Sequence, residues 1–234
     1  MGLFNYETEM RVTMLPGLEI PILPGISDRI TIVGQTGSGK THGGLWHLSK
    51  FDLKNQRWII INTKNEKLID SIPRARFIGY EIPRKNGLYI VHPRIDDEKE
   101  LTKFLWDILD EEDIGLFFDE GYMIEFIGAV MPYIAIMTQG RSKNIPVMSL
   151  YQRPIGVTRF SFSEAQYIQI YNLKDYRDYE VTENWMPSVY GQPLPKHYSW
   201  YWDDPRKIMF QFSPVPGIDQ IYSTMNTKLF TRKI

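Results

Sequence analysis

Cysteine is absent from all 234 residues. That excludes a disulfide framework and a thiolate zinc centre, and it fits a reducing compartment. An excess of either charge is also missing: 27 Lys+Arg stand against 28 Asp+Glu, for a net charge of −1. A broad basic face for constitutive nucleic-acid binding is thereby excluded, so any nucleic-acid contact has to be local. Long hydrophobic runs are lacking too. The most apolar long stretch, residues 122–137, is interrupted by Glu125 and Pro132, and no segment reaches the roughly 18 apolar residues of a membrane helix. The first 20 residues carry Glu7, Glu9 and Arg11 without an apolar run, so no signal peptide is expected. These absences lead us to expect a soluble protein without a membrane span. With 43% hydrophobic residues, the chain can bury a core unaided. Its aromatic content, 14%, is expected in that core or in subunit contacts.

What is present alternates. Pro16-Gly17, Pro21 and Pro24-Gly25 punctuate an irregular N-terminal lead-in over 1–28. Short β-branched or aromatic runs follow at 29–33, 57–61, 114–118, 146–150 and 167–171, with briefer ones at 77–80 and 88–91. Between them lie helical stretches: Lys40 to about Lys50, Asp96–Glu112 with Asp96 and Asp97 as caps, and Gly121–Gln139 with a kink expected at Pro132. Strands alternating with helices predict an α/β fold, a core over 29–184 with a mostly parallel central sheet flanked by helices, which the motif at 34–41 makes a P-loop NTPase core. From about Trp185 repeated prolines break the pattern. Residues 185–234 are expected to form an irregular C-terminal accessory segment packed on that core, with 207–212 an edge hairpin strand.

Gly34-Gln35-Thr36-Gly37-Ser38-Gly39-Lys40-Thr41 fills the pattern G-x-x-x-x-G-K-[ST] between a strand and a helix. Glycines let successive N–H groups turn inward onto phosphate oxygens, and the helix that begins there adds its dipole. Lys40 is expected on the β- and γ-phosphates of ATP and the Thr41 hydroxyl on Mg2+. Leu116-Phe117-Phe118-Asp119-Glu120 is an apolar strand ending in two carboxylates. Beside a P-loop, Asp119 suits the Mg2+ and Glu120 the proton of the attacking water. The second acid favours hydrolysis over transfer to a small molecule. Gln152, at the end of the next strand, is a candidate for orienting that water or sensing the γ-phosphate. Arg84, Lys85 and Lys143 are candidates for any local phosphate contacts to a nucleic acid.

Four segments in order carry a resemblance: the P-loop at 34–41, Asn62-Thr63-Lys64-Asn65-Glu66, Asp119-Glu120, and Gly140-Arg141-Ser142 leading to Tyr151-Gln152-Arg153-Pro154. The chain resembles the FtsK/HerA superfamily of DNA-pumping ATPases. It is most similar to the genome-packaging ATPases of tailless, membrane-containing icosahedral viruses, the tectivirus-like lineage. In that family the second segment usually reads Asp-Pro-Lys-Gly-Glu; Lys64 and Glu66 are retained here. The resemblance implies a hexameric ring that moves double-stranded DNA into a procapsid. It also implies viral capsid or vertex proteins as partners, and the host cytoplasm or the virion vertex as location. A related DNA-translocating or phage-extrusion ATPase is the alternative, and a small-molecule kinase a distant one. It further implies an arginine donated to the neighbouring subunit's γ-phosphate, Arg141 or its competitor Arg153. An unbroken helix of about 18 residues after Glu120 would carry the chain ~27 Å from the strand tip, out of reach of Arg141's own site.

Overall fold

Pentapeptides of alternating facing make the sheet. In the computed structural model, which describes residues 12–13 and 20–229, the strands are β1 (Val12–Thr13), β2 (Arg29–Val33), β3 (Arg57–Ile61), β4 (Arg76–Phe77), β5 (Gly87–Val91), β6 (Ile114–Phe118), β7 (Val147–Tyr151), β8 (Tyr167–Tyr171), β9 (Ser199–Asp203) and β10 (Ile208–Phe212). They form one ten-stranded sheet in the order β1-β10-β9-β8-β2-β7-β6-β3-β5-β4. From β8 to β4 all neighbours run parallel, and β9, β10 and β1 are added antiparallel. Successive side chains point to opposite faces of a strand. Thus Trp58 and Ile60 of β3 enter one hydrophobic layer, and Ile59 and Ile61 enter the other.

The helices are α1 (Lys40–Leu48), α2 (Lys67–Asp70), α3 (Glu98–Glu111), α4 (Tyr122–Ile127), α5 (Val130–Gln139), α6 (Phe160–Ser163), α7 (Tyr176–Glu183) and α8 (Ile218–Leu229). Leu45 of α1 and Met225 of α8 share the first layer. Leu101, Phe104, Leu105, Ile108 and Leu109 of α3, at helical spacing, share the second with Tyr133 and Ile136 of α5. Burying each such side chain contributes roughly 1.5–3 kcal/mol, which is what fixes the helices to the sheet. The expected α/β class with a mostly parallel sheet is what the chain adopts.

Several local expectations change. The helix expected over Gly121–Gln139 is two helices, α4 and α5, separated at Gly128, whose φ of 102° is left-handed. Pro132 produces no kink, because it lies in the first turn of α5, where a backbone N–H has no helical partner to lose. The reach argument from one unbroken helix therefore fails. Asp97 does sit at the N-cap of α3, but its carboxylate does not cap the helix. It accepts instead from the Arg94 N–H at 2.9 Å and the Tyr80 hydroxyl at 2.7 Å. The strand expected at 77–80 shrinks to β4.

Of the lead-in, 1–11 and 14–19, with Pro16-Gly17, lie outside the described residues; 20–28 are irregular and end in a Gly25–Asp28 turn. Residues 185–198 are irregular as well, and their Met186 and Val189 cover β8 and β9 alongside Phe162 of α6. After them the chain rejoins the sheet. β9 pairs with the whole of β8, from Tyr167↔Asp203 to Tyr171↔Ser199. The hairpin strand expected at 207–212 is β10, with β1 on its outer side rather than solvent.

Candidate active site

The P-loop leaves the end of β2, where the Gly34 N–H donates to the Tyr151 carbonyl of β7 at 3.0 Å. Gly37 and Gly39 take φ of 76° and 101°, a left-handed backbone that other residues adopt only with strain. Those two turns open the loop around the start of α1. Inside it the Ser38 hydroxyl and the Gln35 side-chain oxygen are buried without a hydrogen-bond partner. A buried polar atom left unpaired costs free energy that a ligand can recover.

β6 ends beside this loop and delivers Asp119 and Glu120, which are 3% and 1% exposed. The Thr41 hydroxyl donates to Asp119 Oδ1 at 3.4 Å. Burial pushes the Asp119 carboxyl up to about 6; the charge of Lys40 opposes the rise and that of Glu120 adds to it. A carboxylate so poorly neutralised, next to a hydroxyl, is a hard-oxygen pair suited to a divalent cation. Among the described residues no three His, Cys, Asp or Glu side chains gather as a metal site. The remaining ligands of a cation held here would have to come from water and phosphate.

Glu120 is gripped from three sides. Lys64 Nζ lies 2.6 Å and Lys40 Nζ 3.8 Å from Oε2, and the Gln152 N–H donates to Oε1 at 3.0 Å. The Gln152 side-chain amide crosses to the P-loop and donates to Thr36 Oγ1 at 2.8 Å. One residue at the tip of β7 thus ties the second acid to the phosphate loop. A cleft of about 280 Å³ opens there, lined in part by Gln35, Thr36, Gln152, Arg153 and Lys174.

Lys64 is the contact that composition and periodicity did not assign. The turn that carries it is built by its neighbours. The Asn62 amide donates to Asp70 at 2.8 Å, Asn62 Oδ1 accepts the Glu66 N–H at 2.9 Å, and Glu66 accepts from Leu68 at the start of α2. Asn65 supplies a left-handed φ of 52°, which asparagine tolerates. Burial alone would lower the Lys64 ammonium, but the hydrogen bond and charge of Glu120 outweigh it and raise it. The sequence signal was a Lys/Glu pair following β3. Its meaning depended on β3 and β6 being neighbours.

Arg153 and Arg141 occupy opposite situations. Arg153 stands beside the P-loop cleft, tied to Asp175 at 3.2 Å and Asp178 at 3.1 Å. Arg141 lies in a 3-10 turn, Gly140–Lys143, after α5. It is exposed and forms no ion pair among the described residues. Its charge acts on Arg29 and Tyr167, the first residues of β2 and β8, so it sits at the sheet edge opposite the P-loop. Lys143, paired with Glu112 at 2.8 Å, and Arg84 lie at that edge too. A polar cleft of about 390 Å³ opens between Arg57, Arg84, Asp113 and Asn144.

No protein-family model matches the chain. A curated protein does: it is 41% identical over 211 residues to the DNA packaging ATPase P9 of Enterobacteria phage PRD1, covering 85% of this chain and 92% of that protein. This chain belongs to that family of DNA-packaging ATPases. Among solved structures, the packaging ATPase is similar to the genome packaging NTPase B204 of Sulfolobus turreted icosahedral virus 2 in complex with AMPPCP. That match has a TM-score of 0.63 at 12% identity, covering 82% of this chain and 100% of that one. It is also similar to EssC (ATPases 2 and 3) from Geobacillus thermodenitrificans, with a TM-score of 0.62 at 14% identity over 86% of this chain and 44% of that one. At such identities these two likenesses establish the fold. The resemblance to viral packaging ATPases read from the four motifs is borne out.

Proposed function

We propose that the chain is an ATP-hydrolysing motor that drives double-stranded DNA into a viral procapsid. The observation that carries this is the meeting of Lys40, Thr41, Asp119, Glu120 and Gln152 at one sheet edge, in a chain 41% identical to a DNA packaging ATPase. The P-loop amides and Lys40 bind the triphosphate of ATP. Thr41 and Asp119 would hold Mg2+, whose charge offsets that of the β- and γ-phosphates when it is bound. Glu120 accepts the proton of the attacking water, and Gln152 orients it from its station between Glu120 and Thr36. For Glu120 to take a proton, Lys64 has to release Oε2. Residues 29–184 are the ATPase core in this reading, and 185–234 an accessory segment packed on it.

The motor acts as a ring, hexameric in this proposal, and partners viral capsid or vertex proteins in the host cytoplasm or at the virion vertex. Arg141 is its trans-acting arginine. Being exposed, without an ion pair among the described residues and remote from its own P-loop, it is available to a neighbour, whereas Arg153 is held by Asp175 and Asp178. Arg84, Lys85 and Lys143 contribute local phosphate contacts to DNA. Such contacts weaken linearly in log affinity as log salt rises. The deciding experiment is ATP turnover with and without double-stranded DNA. A motor is stimulated by DNA and loses that stimulation as salt rises. Turnover indifferent to DNA but raised by a small phosphate acceptor would mean a kinase instead.

A further inference from the structure

His197 lies against the P-loop from the C-terminal segment. Its Nδ1 is 3.0 Å from the Ser38 carbonyl, so the ring N–H donates to the loop backbone. The imidazole sits so close over Gly39 that a Cβ there would come within 3.1 Å of Nδ1. The turn that presents it is strained. The Tyr198 N–H closes onto the Pro195 carbonyl at 3.1 Å, and His197, at the third position, takes φ of 67°. Turns of that kind ask for glycine at this place. Left-handed backbone at a non-glycine residue costs on the order of 1–3 kcal/mol and persists where the surroundings impose it. Despite its grip on Ser38, His197 is exposed, so it is open to a ligand on the side away from the loop's core.

The topology says what passes that side. Glu120 and Gln152 stand at the tips of β6 and β7, on one flank of β2, and they mark the γ-phosphate end of the site. β8 and β9 stand on the other flank, and His197 lies two residues before β9 begins. A triphosphate cradled by the P-loop with its γ end toward Glu120 has to lead its nucleoside away from β7, toward β8 and β9. His42, directly after Thr41, is half-buried and close enough to His197 for the charge of His197 to act on it.

We propose that His197 is the base-stacking residue of the site, its ring forming with His42 the wall against which the purine of the bound nucleotide packs. This gives the segment after residue 185 a part in nucleotide recognition, and it rests on the reading of 34–41 as the nucleotide site. Two ligands separate the contributions: ATP, and inorganic tripolyphosphate, which has the phosphates and no base. Each is titrated by calorimetry into the full chain. His197→Gly removes the ring and supplies the residue the turn prefers. ATP should bind about tenfold more weakly, within the span known for base–aromatic stacking, while tripolyphosphate affinity stays within about twofold. His197→Asn, which tolerates the same backbone and offers no ring, should repeat the result. Without ligand, the melting temperature of His197→Gly should hold or rise. Unchanged ATP affinity in both variants, or equal loss of ATP and tripolyphosphate, would overturn the proposal. Lys40→Ala reports separately on the site itself: it should lose both ligands, and retention of both would remove the P-loop reading rather than the role of His197.

Discussion

The two flanks of β2 are built from the same pentapeptide strands and bury polar groups equally well, yet they treat charge in opposite ways. On the β7–β6–β3 flank, the Asp119 carboxylate has only the Thr41 hydroxyl at 3.4 Å among the described residues and is pushed up to about 6 by burial. Glu120, Lys64 and Lys40 crowd together beside it. On the β8–β9 flank, buried polar groups are neutral or closed on themselves. The His47 ring bonds Gln169 at 2.8 Å, Gln169 donates to Ser199 at 2.7 Å, and Asp203 is paired with Arg206 at 2.7 Å. Buried charge without full neutralisation is costly. It persists on the flank where cation and phosphate are expected to complete it. The other flank leaves neutral nitrogens, His47 Nδ1 and Trp200 Nε1, buried without a hydrogen-bond partner among the described residues, and serves as frame.

Substitutions on the charged flank should therefore cost function, and those at the buried polar groups of the neutral flank stability. The largest effect is expected at the loop both flanks share. Lys40→Ala should abolish ATP binding, seen as loss of the calorimetric signal and of thermal stabilisation by ATP, with little change in the melting temperature of the free protein. Arg141→Ala comes next. Loss of a trans arginine costs ~10³–10⁵ in turnover, and mixing this variant with Lys40→Ala should restore part of the activity, since each supplies what the other lacks. Full activity of Arg141→Ala alone would shift the role to Arg153.

Within the charged flank, Glu120→Gln should lower turnover by roughly 10²–10⁴ while ATP with magnesium still binds. Normal turnover would place the base elsewhere. Lys64→Ala should be milder, on the order of tenfold, the worth of one charged hydrogen bond. Lys64→Arg, which keeps a cation beside Glu120, should recover part of that loss. No recovery in Lys64→Arg would mean that the charge of Lys64 has no part in turnover.

The last effect, on stability and not on turnover, tests the neutral flank. Burial holds the His47 imidazole down to about 4, against an ordinary 6.5. Between those values the unfolded chain binds a proton that the folded one refuses, so stability falls as pH drops from 6.5 toward 4 and is intact above 6.5. The loss at the bottom of the window is on the order of 3 kcal/mol. Urea midpoints across it should slope accordingly, and His47→Gln should flatten the slope without altering ATP turnover at neutral pH. A slope that survives the substitution would assign the acid sensitivity to other groups.

What the sequence determined by itself is local. Glycine spacing in 34–41 dictates a tight loop with left-handed backbone at Gly37 and Gly39. Five apolar residues before Asp119-Glu120 dictate a buried strand with acids at its tip. The alternation of strand and helix dictates a parallel sheet. Each follows from a few consecutive side chains. Gly128 against Pro132 marks the limit even there, since a proline is harmless in a first turn and the break depended on where α5 began. Tertiary structure decided what meets across the sheet. Lys64 finds Glu120 because β3 lies beside β6, Gln152 bridges to Thr36 because β7 lies beside β2, and His197 reaches Ser38 from 159 residues away because β9 is laid antiparallel on β8. Strand order is set by the burial of two whole faces at once, a global free-energy minimum that no short run of residues encodes.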